Sequence, residues 1–443
     1  MASPSAEKAE QLSPADLREA WALLEPSDRL HGFRSLDPSV ADDFFLSIKP
    51  RDQLALLMLL PEGERRLWLR LLPPDDVADL IQTAPDRERE GLLAYLDDAT
   101  RREVRALLAY AEDQAGGLMN PRYARVRPDV TIEEAISYLR RQVRERPETI
   151  HYAYVIDPDL HLIGVVSFRE LLGAPSERLV KEVMQTHLVT VPEAMDQEEV
   201  SRVFSRHHLV ALPVVDAEGR MKGVVTADDI AEVVQEEATE DIQKIGGSAA
   251  LGAPYLQVGL PQMIGKRAGW LSALFLGEML TATAMGYFEA EIARAVVLAL
   301  FVPLVISSGG NSGGQATTLV IRAMALGEVR LRDWWRVIRR EFFSGLSLGV
   351  ILGSIGMLRI LAWQLLFKSY GNHAFVIALT VGLSLVGVVL WGTLAGSMLP
   401  FVLRRLGFDP ASASAPFVAT LVDVTGLIIY FTTAKVVMSG TLL

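Results

Sequence analysis

The stretch PFVATLVDVTGLIIYFTTAKVV, residues 416–437, carries only two charged side chains, Asp423 and Lys435. An apolar run of about 20 residues is what a helix needs to cross the hydrocarbon core of a bilayer. Asp423 follows Pro416 by seven residues, which places it about 10 Å into such a helix at ~1.5 Å per residue. A carboxylate at that depth is costly and asks for a cation, a polar neighbour or water. Four more runs of this character precede it, over residues 268–287, 295–321, 342–367 and 375–403. The second contains PLVISSGGNSGGQATT, residues 303–318. Pro303 and the glycines at 309, 310, 313 and 314 predict a span interrupted by irregular backbone, which is tolerated where it lines a watery cavity. Close packing of small residues between helices is the other use of such a segment.

Charge divides the chain. Residues 1–265 hold 46 acids against 29 Lys and Arg, a net of −17, whereas residues 266–443 hold 8 against 14, a net of +6. The reading is an acidic soluble body followed by a membrane body. Basic residues next to the spans (Lys266, Arg267, the arginines between 322 and 340, Arg404, Arg405) put the N-terminal half in the cytosol and the C-terminus outside the cell. The first 20 residues lack the apolar core of a secretory signal. With no cysteine, any metal must be held by oxygen or histidine ligands, which favours hard or borderline cations.

Within the soluble half, Pro14, Pro26, Pro38, Pro50, Pro61, Pro74 and Pro85 recur every 11 to 13 residues, usually beside an acid. Proline in a first turn with an acid near it is a helix-start signal, so short helices stacked as an α-solenoid are expected over residues 1–117. Two similar α/β units follow. Residues 119–139 resemble 184–204, and AYVIDPDLHLIGVVSFREL resembles ALPVVDAEGRMKGVVTADDI in the same order. The duplication looks like a tandem of cystathionine-β-synthase (CBS) domains, divided here as 118–182 and 183–241. The second ends in TADDIAEVVQEEATED, a helical stretch with seven acids and no base. Like charges three and four residues apart oppose a helix, so a cation is expected to neutralise that face. A connecting helix is expected over 242–265 and an all-α domain of five spans over 266–443.

Asp423 is the leading cation site, because few bases exist at its depth and Arg359 lies nearer the outer side. Two copies on a twofold axis would supply the charge a divalent ion requires. Ser307, Ser308, Asn311 and Gln315 offer further oxygens. Glu278, in the first span, is ambiguous between cation entry and a structural hydrogen bond. The histidines at 151, 161, 187, 207 and 208 show no ligand spacing and read as ordinary surface or core residues.

Taken in order, the Pro-Asp helices, AEDQAGGLM at 111–119, the CBS pair, the acidic helix, GGNSGGQ and PFVATLVDVTGL resemble the MgtE family of magnesium channels and transporters across nearly the whole chain. The resemblance implies a homodimer in the lipid bilayer of the cell membrane, with a Mg²⁺ pore formed by the second and fifth spans and closed when cytosolic Mg²⁺ binds between the soluble domains. It makes Asp423, Asn311 and Ala419 pore residues, the last through its backbone carbonyl. The regulatory acids it implies are Asp43, Asp75, Asp79, Glu198, Asp229, Glu232, Glu237, Glu240, Asp241 and Asp409. Two positions depart from the pattern: His208 stands where a relative has an acid, and Ala415 where one has asparagine.

Other readings are a Na⁺- or H⁺-coupled exchanger and a nucleotide-sensing membrane regulator. GVVTADD, residues 223–229, resembles a ribose-binding Thr-x-x-Asp element, which makes Thr226 and Asp229 candidates for ATP or another adenine nucleotide. Enzymatic readings fail on motif: neither HExxH nor GxxxxGK[ST] occurs. Nothing in the chain points to nucleic acid.

Overall fold

The computed structural model describes residues 13–142, 151–253 and 255–441, in two compact units, residues 1–236 and 237–443. The first unit opens with eight short helices: α1 (Pro14–Ala20), α2 (Pro26–Arg34), α3 (Pro38–Ser47), α4 (Pro50–Leu59), α5 (Glu62–Leu69), α6 (Pro74–Thr83), α7 (Asp86–Ala94) and α8 (Asp98–Leu107). Pro14, Pro26, Pro38, Pro50 and Pro74 each open a helix, and Pro61 and Pro85 stand at the N-cap, so the proline rhythm is the helix rhythm. Each proline gives up an N–H that the first turn leaves unpaired in any case. Arginines close several corners: the Nε atoms of Arg29, Arg65 and Arg89 donate to the carbonyls of Leu24, Leu60 and Ala84, each at 3.0 Å. Several helices pack on the next but one, α1 on α3, α2 on α4, α4 on α6 and α6 on α8, as in a solenoid.

The two α/β units repeat one topology. In the first, β1 (Arg125–Val126) lies parallel to β2 (Tyr152–Ile156), which pairs antiparallel with β3 (Leu162–Ser167); in the second, β4 (Val191–Pro192), β5 (Ala211–Val215) and β6 (Met221–Thr226) do the same. Even the register irregularity recurs, at Val155/Ile156 and Val214/Val215. The short α9 (Ala115–Leu118) joins the solenoid to this pair, and α10 (Ile132–Gln142), α11 (Phe168–Gly173) and α12 (Gln197–His207) complete it. One apolar core runs from α1 through Ala115 and Met119 into the second unit, where it holds Val191, Phe204 and Val225. The docking has a buried polar pin: Asn120 Nδ2 donates to Asp75 Oδ1 at 3.0 Å.

The acidic stretch forms α13 (Ala227–Ile245). Among the described residues 242–265 do not form one connecting helix: α13 stops at Ile245, and a loop follows in which Gly247 (φ +75°) and Gly252 (φ +67°) adopt left-handed backbone. A 3₁₀ turn at Tyr255–Gln257 precedes the next α-helix, which begins at Leu260. Those two positive φ values are cheap for glycine and end a helix effectively.

Five helical segments are long and apolar enough to span a membrane: Leu260–Tyr287, Val296–Ala325, Leu331–Phe367, Gly371–Arg405 and Ala415–Met438. Their main helices are α14 (Leu260–Tyr287), α16 (Val302–Ala325), α17 (Trp334–Phe367), α18 (Ala374–Arg405) and α19 (Ala415–Met438); a short α15 (Glu289–Arg294) follows α14. The interruption predicted at the glycine cluster does not occur. α16 runs unbroken through Gly314, and the irregular part lies ahead of it, as 3₁₀ turns over Val296–Phe301. The glycines serve contact instead. A Cβ on Gly392 or Gly396 would collide with the carbonyl oxygen of Gly309 or Gly313, so α16 and α18 meet backbone to backbone. Hydroxyls bridge the same seam, Ser312 Oγ to Thr393 Oγ1 at 2.7 Å and Thr317 Oγ1 to the Gly396 carbonyl at 2.8 Å. Gly396→Leu is therefore expected to destabilise the membrane unit by about 3 kcal/mol or more through overpacking. The measurement is melting of the full chain in detergent, and a melting temperature equal to wild type would contradict the seam.

Candidate cation sites

Three helices border a cleft of about 1140 Å³ in the membrane unit. α16 contributes Ser307, Gly310, Asn311, Gly314, Gln315 and Thr318; α19 contributes Ala415, Ala419 and Asp423; α14 contributes Glu278 and Thr281. The wall between α16 and α19 is made of small residues in contact, Gly310 against Ala419 and Gly314 against Ala415. Asn311 donates weakly to Ser307 Oγ at 3.4 Å, and its own carbonyl oxygen remains available. Asp423 is half-buried, and among the described residues no basic side chain pairs with it.

Glu278, ambiguous from the sequence, lines the same cleft as Asp423. Gly277 seats against Thr420 and so holds α14 to α19 one turn from Asp423. An isolated acid in a span was the available signal; which helix it would meet was not in the sequence. Thr281, one turn further along α14, has a buried hydroxyl with no hydrogen-bond partner among the described residues.

The second cluster lies within the soluble unit, where α6 meets the start of α13. Asp76 and Asp79 of α6 sit among Asp228, Asp229, Glu232 and Glu236. Burial and then the neighbouring carboxylates push Asp79 up to about 8 and Asp76 up to about 7. Burial also raises Asp229, to about 6, against the opposing hydrogen bonds from Thr226 N (2.9 Å) and Oγ1 (2.7 Å). Carboxylates shifted upward together form a site that is penalised for each charge it holds without a counter-ion. Asp75, the neighbour singled out from the sequence, makes the buried bond with Asn120, whereas Asp76, next to it on α6, lies toward the acids of α13.

The remaining acids are dispersed. Asp409 and Glu240 share Lys244, whose Nζ lies 2.7 Å from Asp409 Oδ2. Burial opposes the charge on Lys244, and the two carboxylates outweigh it and hold the amine protonated. Glu198 pairs with Arg202 on its own helix. Asp43 is exposed on α3, and Glu237 and Asp241 are half-buried further along α13. Thr226 and Asp229 are bonded to one another at the start of α13, as Ser167 and Glu170 are at the start of α11. His208 takes the left-handed position that ends α12 (φ 52°), and Ala415 opens α19 with its methyl against Gly314.

Five candidate spans, three of them bordering a cleft that holds a carboxylate with no basic partner among the described residues, and a CBS pair in the same chain define a cation-handling membrane protein. Comparison with known proteins narrows the class. Residues 12–113 match the MgtE intracellular N domain, residues 115–177 and 180–236 match CBS domains, and residues 302–433 match the MgtE divalent cation transporter domain. The chain is 40% identical to the magnesium transporter MgtE of Thermus thermophilus over 434 residues, covering 97% of this chain and 94% of that one. It is 30% identical to the magnesium transporter MgtE of Bacillus subtilis, covering 95% and 91%. A crystal structure of the cytosolic domain of the Mg²⁺ channel MgtE in complex with ATP is 39% identical and covers 52% of this chain and 93% of that one, with a TM-score of 0.47. The chain belongs to the MgtE family.

Proposed function

We propose that this protein conducts Mg²⁺ across the cell membrane through the cleft at Asp423, and that cytosolic Mg²⁺ closes it by binding among the acids of α6 and α13. The observation that carries the reading is the convergence of Asp423, Glu278, Asn311 and Ser307 on one cleft without a basic partner. Mg²⁺ dehydrates reluctantly, so the carboxylates and the Asn311 amide hold its water shell, while the Ala419 backbone contributes a carbonyl. Two copies of the chain as a homodimer would double the charge at the pore. The N-terminal half lies in the cytosol and the C-terminus outside, and the protein acts as a transporter and not as an enzyme. The test is Mg²⁺ uptake by the purified full chain in liposomes without Na⁺ or pH gradients; uptake that needs either gradient would replace the channel with an exchanger.

Glu278 adds a second negative charge to the cleft. Glu278→Gln is expected to lower Mg²⁺ uptake about tenfold at sub-millimolar Mg²⁺ and less at saturating Mg²⁺, because it weakens attraction without removing the main ligand. Equal loss at all concentrations would make Glu278 structural.

Closure follows from charge. At high cytosolic Mg²⁺ the ion offsets repulsion among Asp76, Asp79, Asp229, Glu232 and Glu236; at low Mg²⁺ the repulsion loosens α6 from α13. The helix that carries these acids continues to Lys244, and Lys244 grips Asp409 just ahead of α19, which gives the signal a route to the pore helix. Asp43, Glu198, Glu237, Glu240 and Asp241 enlarge the acidic field that attracts the ion. An adenine nucleotide such as ATP binds the CBS pair near Thr226 and Asp229 and tunes the response.

A pH dependence follows. The folded values of Asp79, Asp76 and Asp229, about 8, 7 and 6, lie above their unfolded value near 3.8, so the folded state holds protons that the unfolded state has released. Its stability in Mg²⁺-free buffer therefore falls as pH rises from 6 to 8.5. Protection from protease by added Mg²⁺ is expected to be largest at pH 8.5 and small at pH 6. A Mg²⁺ effect of the same size at both ends of the range would rule out this cluster.

A further inference from the structure

In a soluble half whose net charge is −17, one cleft is basic. It has a volume of about 900 Å³ and opens between α5 and α8 of the solenoid and the β1–α10 face of the first CBS unit. Arg70, Arg122, Arg125, Arg141 and Lys222 line it, against two acids, Asp97 and Glu103.

Both acids are already engaged. Asp97 caps α8, accepting from the N–H groups of Ala99 and Thr100 at 3.0 Å each. Glu103 accepts from Nε and Nη2 of Arg122 at 3.0 and 2.8 Å, and the same Nη2 donates to Thr100 Oγ1 at 2.8 Å. Lys222 leans on Asp216, which also binds Arg220. That leaves Arg70, Arg125 and Arg141 with no carboxylate partner among the described residues. Arg125 is held against the Tyr123 phenol, and Arg141 lies over the Tyr138 ring at 5.8 Å. Three guanidinium groups placed around one cavity repel one another and leave their donors open to a bidentate acceptor. A cleft of this size suits a small molecule.

We propose that this cleft binds a water-soluble small molecule carrying two or more linked phosphate groups, with Arg70, Arg125 and Arg141 on the phosphates and the Tyr123 and Tyr138 rings against its organic part. A single carboxylate would leave two of the three charges unmatched, and the polar walls offer no bed for an acyl chain. The site is separate from Thr226 and Asp229, neither of which lines the cleft. A ligand here touches both the solenoid and the CBS unit, so it ties together two domains whose acids repel elsewhere.

The test is calorimetric titration of the full chain in detergent with inorganic tripolyphosphate in Mg²⁺-free buffer, with Arg70→Ala, Arg125→Ala, Arg125→Lys and Thr226→Ala variants alongside. Wild type is expected to bind, more weakly as KCl rises. Each alanine at an arginine is expected to weaken binding about tenfold, with Arg125→Lys in between and Thr226→Ala unchanged. Arg70 and Arg125 are both exposed, and Arg70→Ala reports on the site if Arg125→Ala, which loses the contact with Tyr123, fails to fold. No binding by wild type overturns the proposal. So does binding lost in Thr226→Ala and kept in the arginine variants, which would place the anion at the CBS pair.

Discussion

Asp423→Ala is expected to abolish Mg²⁺ uptake into liposomes, by about a hundredfold or more, while the purified protein keeps its size-exclusion profile. The size follows from what the carboxylate offsets. Carrying a divalent ion through a low-dielectric region costs several kcal/mol for each ligand charge withheld, and each ~1.4 kcal/mol is a factor of ten in rate or occupancy. Asp423 borders a cleft whose one other acid is Glu278, among apolar residues and neutral oxygens, and Glu278, on a different helix, cannot take over its place on α19. Asp423→Asn tests charge against shape: it keeps the oxygen and loses the charge, and should retain little of the flux. Uptake unchanged in Asp423→Ala would remove the residue from the pore.

Neutralising α6 is the second large effect. In Asp76→Asn/Asp79→Asn the soluble half should resist protease without Mg²⁺ as well as wild type does with it, and added Mg²⁺ should change nothing further. The two acids are raised to about 7 and about 8, and a shift of one pKa unit corresponds to a tenfold bias between protonation states. At pH 8.5, where both acids are ionised in the Mg²⁺-free protein, cleavage should therefore slow by about tenfold when both charges go, if cleavage follows the loosened population. The neighbour Asp75 supplies the contrast. Asp75→Ala removes the carboxylate that accepts from Asn120 Nδ2 and should increase cleavage with or without Mg²⁺. A double variant that still needs Mg²⁺ as wild type does would move the sensor away from α6.

The solenoid, the CBS pair and the five spans were legible because each has a short repeat or a length requirement behind it. Prolines at 11 to 13 residues become helix starts for reasons confined to the first turn, and a 20-residue apolar run has few other uses. What was not legible depends on which surfaces meet. Asp75 and Asp76 are adjacent acids on one helix start, and it takes a residue 45 positions on, Asn120, to meet the first, while the second lies toward α13. Glu278 reads as an orphan until α14 is laid on α19. The glycine run in α16 suggested broken backbone because glycine lowers helix propensity; packing against Gly392 and Gly396 reverses that expectation, since the missing side chains are what admit the neighbouring helix.

The same glycines face α19 as well. Val422 fits where Gly309 has no side chain and Val418 where Gly313 has none, at a spacing of four residues on both antiparallel helices. Matching bumps and hollows of equal pitch behave as a detent. A slip of α19 along α16 would drive a valine onto a ridge, so the interlock resists sliding and keeps Asp423 and Asn311 on one cleft.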